Sequence, residues 1–130
     1  MKQEEKDLLL KDLCARVPYG VKISIPDLWT SDRDIEILDE IFKGDDGLYR
    51  VNSKGQLLEY IKPYLIPIPS MTEEQCEELY YISEIRISFT IDRLIEVYKN
   101  TIEWFLKNHI DYNNLIGKGL ALDATGLNVY

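Results

Sequence analysis

The positions of the five prolines limit where this 130-residue chain can form regular structure. The residue before a proline is disfavoured in helical conformation, so Pro18 ends the helix that the leucine spacing predicts over residues 3–16. Pro26 closes a strand predicted over residues 21–25, where apolar and polar residues alternate. Three more prolines between residues 63 and 69 predict a packed, extended connection.

The segment 31–43 fits two kinds of structure. Ser31 and Asp34 resemble a helix-capping pair, and apolar residues follow them at helical spacing. Residues 34–37, however, alternate acidic residues with isoleucine, and the Gly-Asp-Asp-Gly sequence at 44–47 is typical of a hairpin turn. The local pattern leaves a helix and a hairpin open.

Two helices are predicted in the C-terminal half of the chain. Thr72 and Gln75 form a capping-box sequence, which predicts that a helix begins there. Residues 85–89 alternate and predict a brief strand or a bend. A long helix is then predicted from Thr90 or Ile91 to about Asn108, and apolar residues line one broad face of it: Ile91, Leu94, Ile95, Tyr98, Ile102, Phe105 and Leu106.

These elements predict an α+β fold in one domain covering residues 1–130. It consists of an N-terminal helix, a small antiparallel sheet within residues 20–61, and two C-terminal helices packed on one face of that sheet. The chain is short enough for one domain, and its apolar fraction of 45% and charged fraction of 29% are those of a globular protein.

The charge of the chain favours some partners over others. The net charge is −8, and no cluster of basic residues is present that could bind a phosphate backbone or an anionic membrane. Residues 27–46 contain eight acidic and two basic residues, and a second acidic group begins at Glu73. The expected partner is therefore a protein with a basic surface, and the candidate interaction surface consists of Asp32, Asp34, Glu36, Asp45, Asp46, Glu73 and Glu77.

The two cysteines and the apolar runs indicate a cytoplasmic protein. Cys14 and Cys76 are too few for a disulfide framework and too far apart for a zinc site, so buried thiols are expected. No cofactor or metal is expected. The first residues are too charged for a signal peptide, and no apolar run is long enough to cross a bilayer.

One pair of residues offers a catalytic alternative. His109 is the only histidine, and Asp111 lies two residues further on. A small hydrolase or transferase would have to be built around these two side chains. A histidine at a helix end also interacts with the last carbonyls of that helix, which is a purely structural role.

Three segments carry a resemblance. They are Lys11–Val21, then Lys62–Leu65 followed by Ser70–Glu74, and then Trp104 followed by His109–Tyr112 and Leu115–Leu122. Together they resemble a family of short proteins that recurs in the genomes of gut bacteria and in their phages and mobile elements.

The resemblance implies a genomic setting and no named activity. It also implies paired strands around a turn in residues 34–51, which favours the hairpin over the helix. Members of the family usually have an arginine where this chain has Ile66 and Asn113.

The leading functional hypothesis is therefore a non-catalytic acidic binding protein of phage or mobile-element origin that engages a protein partner. The alternatives are the small hydrolase or transferase using His109 and Asp111, and a structural assembly subunit.

Overall fold

The computed structural model describes residues 1–26, 33–83 and 91–130. The fold class is α+β, as predicted. The helices are α1 (Gln3–Arg16), α2 (Glu73–Ser83) and α3 (Ile91–Lys107). The strands are β1 (Lys22–Pro26), β2 (Arg33–Ile37), β3 (Ile41–Lys43), β4 (Tyr49–Val51), β5 (Gln56–Leu57), β6 (Lys62–Leu65) and β7 (Leu122–Asp123).

The helix predicted over residues 3–16 is confirmed. α1 ends at Arg16, and a short 3-10 turn over Val17–Tyr19 follows at Pro18. Gly20 then adopts a φ of +68°, a left-handed conformation that glycine reaches without a steric penalty. This turn directs the chain into β1, so that α1 covers the first strand of the sheet.

The strands form two sheets instead of the one small antiparallel sheet expected within residues 20–61. One sheet has the order β2-β1-β6-β7 and the other has the order β3-β4-β5. The first sheet is mixed, because β6 pairs with β1 in antiparallel orientation and with β7 in parallel orientation. Its strands β6 and β7 lie after residue 61, so the predicted boundary of the sheet is wrong.

The helical alternative for segment 31–43 is wrong over residues 33–43, whereas Ser31 and Asp32 lie outside the described residues. β3 and β4 form a hairpin around the turn at Gly44–Gly47, where the amide of Gly44 donates to the carbonyl of Leu48 over 2.8 Å. The turn was therefore predicted correctly. Residues 34–37 pair with β1 and not with β4.

β2 presents its isoleucines on the side of the sheet opposite to the core. In the register, Glu36 lies opposite Ile23 and Asp34 lies opposite Ile25, so these acidic residues share a face with two buried isoleucines. Ile35 therefore lies on the other face, where it is 50% exposed. Alternation alone does not reveal which set of residues faces inward.

Asn52 contacts Glu36, the one half-buried side chain of β2. Its side-chain oxygen accepts a hydrogen bond from the amide of Asp39 (2.8 Å), and its nitrogen donates to the carbonyl of Ile37 (2.9 Å) and to Glu36 Oε2 (3.2 Å). Asn52 is buried and has a φ of +56°. This single side chain therefore connects the two sheets.

The main core lies between α1, β1 and the C-terminal segment. Leu9 and Leu13 contribute one helix turn of α1, and Leu115 and Leu120 close the core from the other side. The buried apolar residues of this cluster are Leu9, Leu13, Val21, Ile23, Ile25, Leu38, Val51, Leu58, Ile61, Leu65, Leu115, Leu120 and Ala121.

Neither cysteine is part of this core. Cys14 and Cys76 are both free and exposed, so the expectation of buried thiols is wrong. Cys14 follows the buried pair Asp12 and Leu13 on α1, and the helical turn of about 100° per residue carries it to the outer face.

The start of α2 is confirmed at the level of individual atoms. The amide of Gln75 donates to Thr72 Oγ1 (3.1 Å), and the amide of Thr72 donates to Gln75 Oε1 (3.0 Å). This reciprocal pair satisfies two amide groups that would otherwise be unpaired at the helix start. The strand or bend predicted over residues 85–89 lies outside the described residues.

The predicted apolar face of α3 is only partly buried. Ile91, Leu94, Ile95 and Tyr98 are 43–77% exposed, whereas Leu106 is buried. The face is thus covered in its second half alone, where α1 lies opposite Ile102 and Leu106.

The position of α2 explains this partial burial. α2 packs against α3 and not over the exposed half of its apolar face. Arg93, Asn100 and Trp104 lie on the side of α3 nearest α2, about half a helical turn from the exposed apolar residues. Packing of both helices on one face of the sheet is not confirmed.

The role of Asn52 yields a stability prediction. Asn52→Ala removes the hydrogen bonds between the sheets and places alanine at a positive φ, so we expect a loss of about 2–4 kcal/mol in the free energy of unfolding. Urea unfolding measures this loss. Asn114→Ala is the matched control, because Asn114 also has a positive φ but is exposed. An equal loss in both variants would show that the hydrogen bonds contribute nothing.

Candidate functional site

The candidate site lies on α2, where the capping box sets the helical register. From Thr72 onward, residues four and seven positions apart fall on one face. Glu73, Glu77, Tyr80 and Tyr81 line one shallow hollow of about 390 Å³ together with Cys76. We call these two glutamates and two tyrosines the acidic tyrosine surface.

The charge of this surface is not balanced within the described residues. α2 contains Glu73, Glu74, Glu77 and Glu78 and no lysine or arginine. None of these four carboxylates has an ion-pair partner in the described parts of the chain. The first two favour helix formation, because they lie in the first turn near the positive end of the helix dipole. The other two repel them at i, i+4 spacing, which a cationic partner would relieve.

The tyrosines give the surface a second property. Tyr80 is 66% and Tyr81 is 73% exposed, and their rings meet edge to face with centroids 6.1 Å apart. The face of a tyrosine ring attracts ammonium and guanidinium groups. Carboxylates beside exposed aromatic rings therefore form a surface suited to lysine and arginine side chains.

The sequence pattern predicted part of this surface. Glu73 and Glu77 were identified from their i, i+4 spacing, and the structure places both at the hollow. The tyrosines were missed. Their adjacency was the signal available in the sequence, because two neighbouring large residues cannot both fall on one narrow buried stripe of a helix.

Two further candidate acidic residues, Asp34 and Asp45, lie outside α2. Asp34 is exposed on β2, and Asp45 is exposed in the β3–β4 turn. Asp32 lies outside the described residues. The structure therefore does not bring Asp34 and Asp45 together with Glu73 and Glu77.

Two of the candidate carboxylates have internal partners. Glu36 accepts from Asn52 and lies 3.8 Å from the Lys54 ammonium. Asp46 accepts from the Leu48 amide (3.1 Å) and from Arg50 (2.7 Å). These two hydrogen bonds, the amide first, lower the pKa of Asp46. Both carboxylates therefore take part in contacts within the folded chain.

Two of the three segments singled out in the sequence, the one in α1 and the one that begins at His109, meet around Arg16, which is fully buried. Its Nε donates to Asp12 Oδ1 (2.5 Å), and its Nη2 donates to the carbonyl of Ile110 (2.8 Å). Asn113 donates to the other oxygen of Asp12 (2.8 Å). The Arg16 guanidinium also lies 5.3 Å from the centre of the Tyr112 ring. This network joins α1 to the C-terminal segment inside the protein.

The catalytic alternative requires a hydrogen bond between His109 and Asp111, and these two side chains do not form one. Asp111 is buried, and its two oxygens accept hydrogen bonds from the amides of Leu115 (2.8 Å) and Ile116 (2.9 Å). His109 Nδ1 is buried without a hydrogen-bond partner in the described parts of the chain. The structure thus gives Asp111 a role in capping a turn and does not join it to His109.

His109 is held as a neutral ring. It stacks on Tyr130 with ring centroids 3.7 Å apart, and it has a φ of +58°. The pKa of His109 is lowered to about 4, first because burial penalises the charged form and then because Arg16 and Lys22 are positive. A neutral imidazole packed in this way supports the fold.

Comparisons with known proteins give no relative for this chain: no family model, curated protein or solved structure matches it. Over the described residues, no group of three or more metal-binding side chains is assembled. The same residues include no helix that is both long and apolar enough to cross a membrane.

The environment of His109 predicts a pH dependence of stability. The pKa is about 4 in the folded protein against 6.5 for an unperturbed histidine, so the unfolded chain binds a proton first as the pH falls. His109 therefore stabilises the fold fully above pH 6.5, and this contribution is lost as the pH falls toward 4. Urea unfolding across this range should show a steeper loss for the wild type than for His109→Gln. Parallel curves would contradict the prediction.

Proposed function

We propose that this protein is a non-catalytic binding protein of phage or mobile-element origin that acts in the cytoplasm and engages a basic segment of a protein partner. The observation that supports the proposal most strongly is the acidic tyrosine surface. It combines two carboxylates and two exposed rings on one helix face, with no basic residue in α2.

Each contact of this kind is weak, and the proposal depends on their number. An exposed ion pair contributes about 0–1 kcal/mol, and an exposed cation–π contact contributes about 0.5–1 kcal/mol. Several such contacts made together give a modest affinity that falls as the salt concentration rises. The overall charge of −8 adds long-range attraction, which mainly raises the association rate.

The surface favours a protein partner over a nucleic acid. Carboxylates repel phosphate groups, and the four glutamates of α2 are not screened by basic neighbours within the helix. Tyrosine is also among the residues enriched at protein–protein interfaces, because its ring provides contact area and its hydroxyl a hydrogen bond.

A labelled deca-lysine peptide provides a direct test by fluorescence anisotropy. We expect binding at about 50 mM salt that weakens at about 200 mM salt. Replacing both glutamates, Glu73→Gln with Glu77→Gln, should weaken binding about three- to tenfold, since two ion pairs are lost. Replacing both tyrosines, Tyr80→Ala with Tyr81→Ala, should weaken it by a similar factor.

The matched control is Asp34→Asn with Asp45→Asn, which removes the same charge from exposed positions outside α2. This control should bind the peptide like the wild type. Equal weakening by the two charge variants would show that binding follows the total charge, and the proposal would then be wrong. Melting curves of all the variants show whether the fold is kept.

A further inference from the structure

A second surface, separate from the acidic tyrosine surface, lies between α1 and α3. These helices enclose a groove of about 460 Å³, which is within the size range of small-molecule sites. Apolar side chains from both helices line it, including Leu8, Ala15, Ile102 and Leu106. A ligand placed there would remove apolar surface from water, which is the main source of affinity for small molecules.

Two of the charged residues of the groove are lysines. Lys11 on α1 and Lys99 on α3 both line the groove, and neither takes part in an ion pair within the described parts of the chain. The two lining carboxylates are already engaged, since Asp12 binds Arg16 and Glu103 lies 3.0 Å from the Lys107 ammonium. The formal charges of the lining balance, but the two that have no ion-pair partner among the described residues are both ammonium groups, in a chain whose net charge is −8.

Aromatic side chains complete the lining. Tyr19, Tyr98 and Tyr112 all line the groove. Tyr112 is fixed by stacking on Phe105, with ring centroids 5.5 Å apart and planes 19° apart. Planar rings stack favourably on such side chains. The groove therefore offers stacking surfaces together with positive charge.

We propose that this groove binds a small anionic molecule with an aromatic body. Its acidic group lies between the ammonium groups of Lys11 and Lys99. Its ring packs against the tyrosines and the apolar residues of α3. A cationic ligand is disfavoured, because the carboxylates of the groove are already paired and the free charges are both positive.

The dye 8-anilinonaphthalene-1-sulfonate is the probe, because it joins a sulfonate to aromatic rings and fluoresces when shielded from water. We expect saturable binding of one dye per chain. The double variant Lys11→Gln with Lys99→Gln should lower the affinity about tenfold, because the charged hydrogen bonds are lost. N-phenyl-1-naphthylamine, which has the same rings without the sulfonate, should bind more weakly and equally to both proteins.

Two further variants locate the binding. Lys2→Gln with Lys118→Gln removes the same charge from exposed residues outside the groove and should leave the affinity unchanged. Ala15→Trp fills the groove from α1, leaves Ile91, Leu94 and Ile95 of the α3 face untouched because they do not line the groove, and should abolish binding.

An unchanged affinity in Lys11→Gln with Lys99→Gln, equal losses in the two lysine variants, or full binding by Ala15→Trp would each overturn the proposal. The glutamates of α2 are absent from this groove, so the outcome is independent of the deca-lysine experiment.

Discussion

The buried ion pair between Asp12 and Arg16 is the interaction on which the arrangement of this chain depends. Both side chains are fully buried, and removing two charges from water is costly unless each finds hydrogen bonds. Arg16 donates to the carbonyl of Ile110, and Asn113 donates to Asp12. The C-terminal segment is therefore fixed to α1 at the point where it leaves α3. From there, Ile66 and Ile110 form a bridge, and the chain continues to β7 beside β6.

The elements that could be predicted correctly from the sequence are those that depend on local chemistry. The N-terminal helix, the capping box at Thr72 and the turn at Gly44–Gly47 each depend on residues close together in the chain. The parallel pair of β6 and β7 joins residues almost sixty positions apart, and the prolines around β6 suggested an extended connection instead. In fact Pro63 lies opposite Ile23 in the ladder, so a proline was accommodated within a paired strand.

The orientation of β2 could not be read from its pattern. The alternation of Asp34 to Ile37 gave the correct period for a strand, but the pairing of β2 with β1 and the hydrogen bonds from Asn52 to Glu36 and Ile37 all join residues distant in the chain. The candidate acidic residues also fall into two groups, because the contacts that decide which of them are paired are not visible in the local pattern. Glu36 and Asp46 are held by partners distant in sequence or across a turn, whereas Glu73 and Glu77 remain exposed because α2 has no basic residue to pair with them.

A double-mutant cycle on the buried pair tests this account most directly. Arg16→Leu and Asp12→Leu each leave one buried charge without its partner, so urea unfolding should show a loss of about 3–5 kcal/mol for each. The variant with both changes should lose clearly less than the sum of the two, because no unpaired charge remains. If Arg16→Leu unfolds at the same urea concentration as the wild type, the pair does not hold α1 to the C-terminal segment.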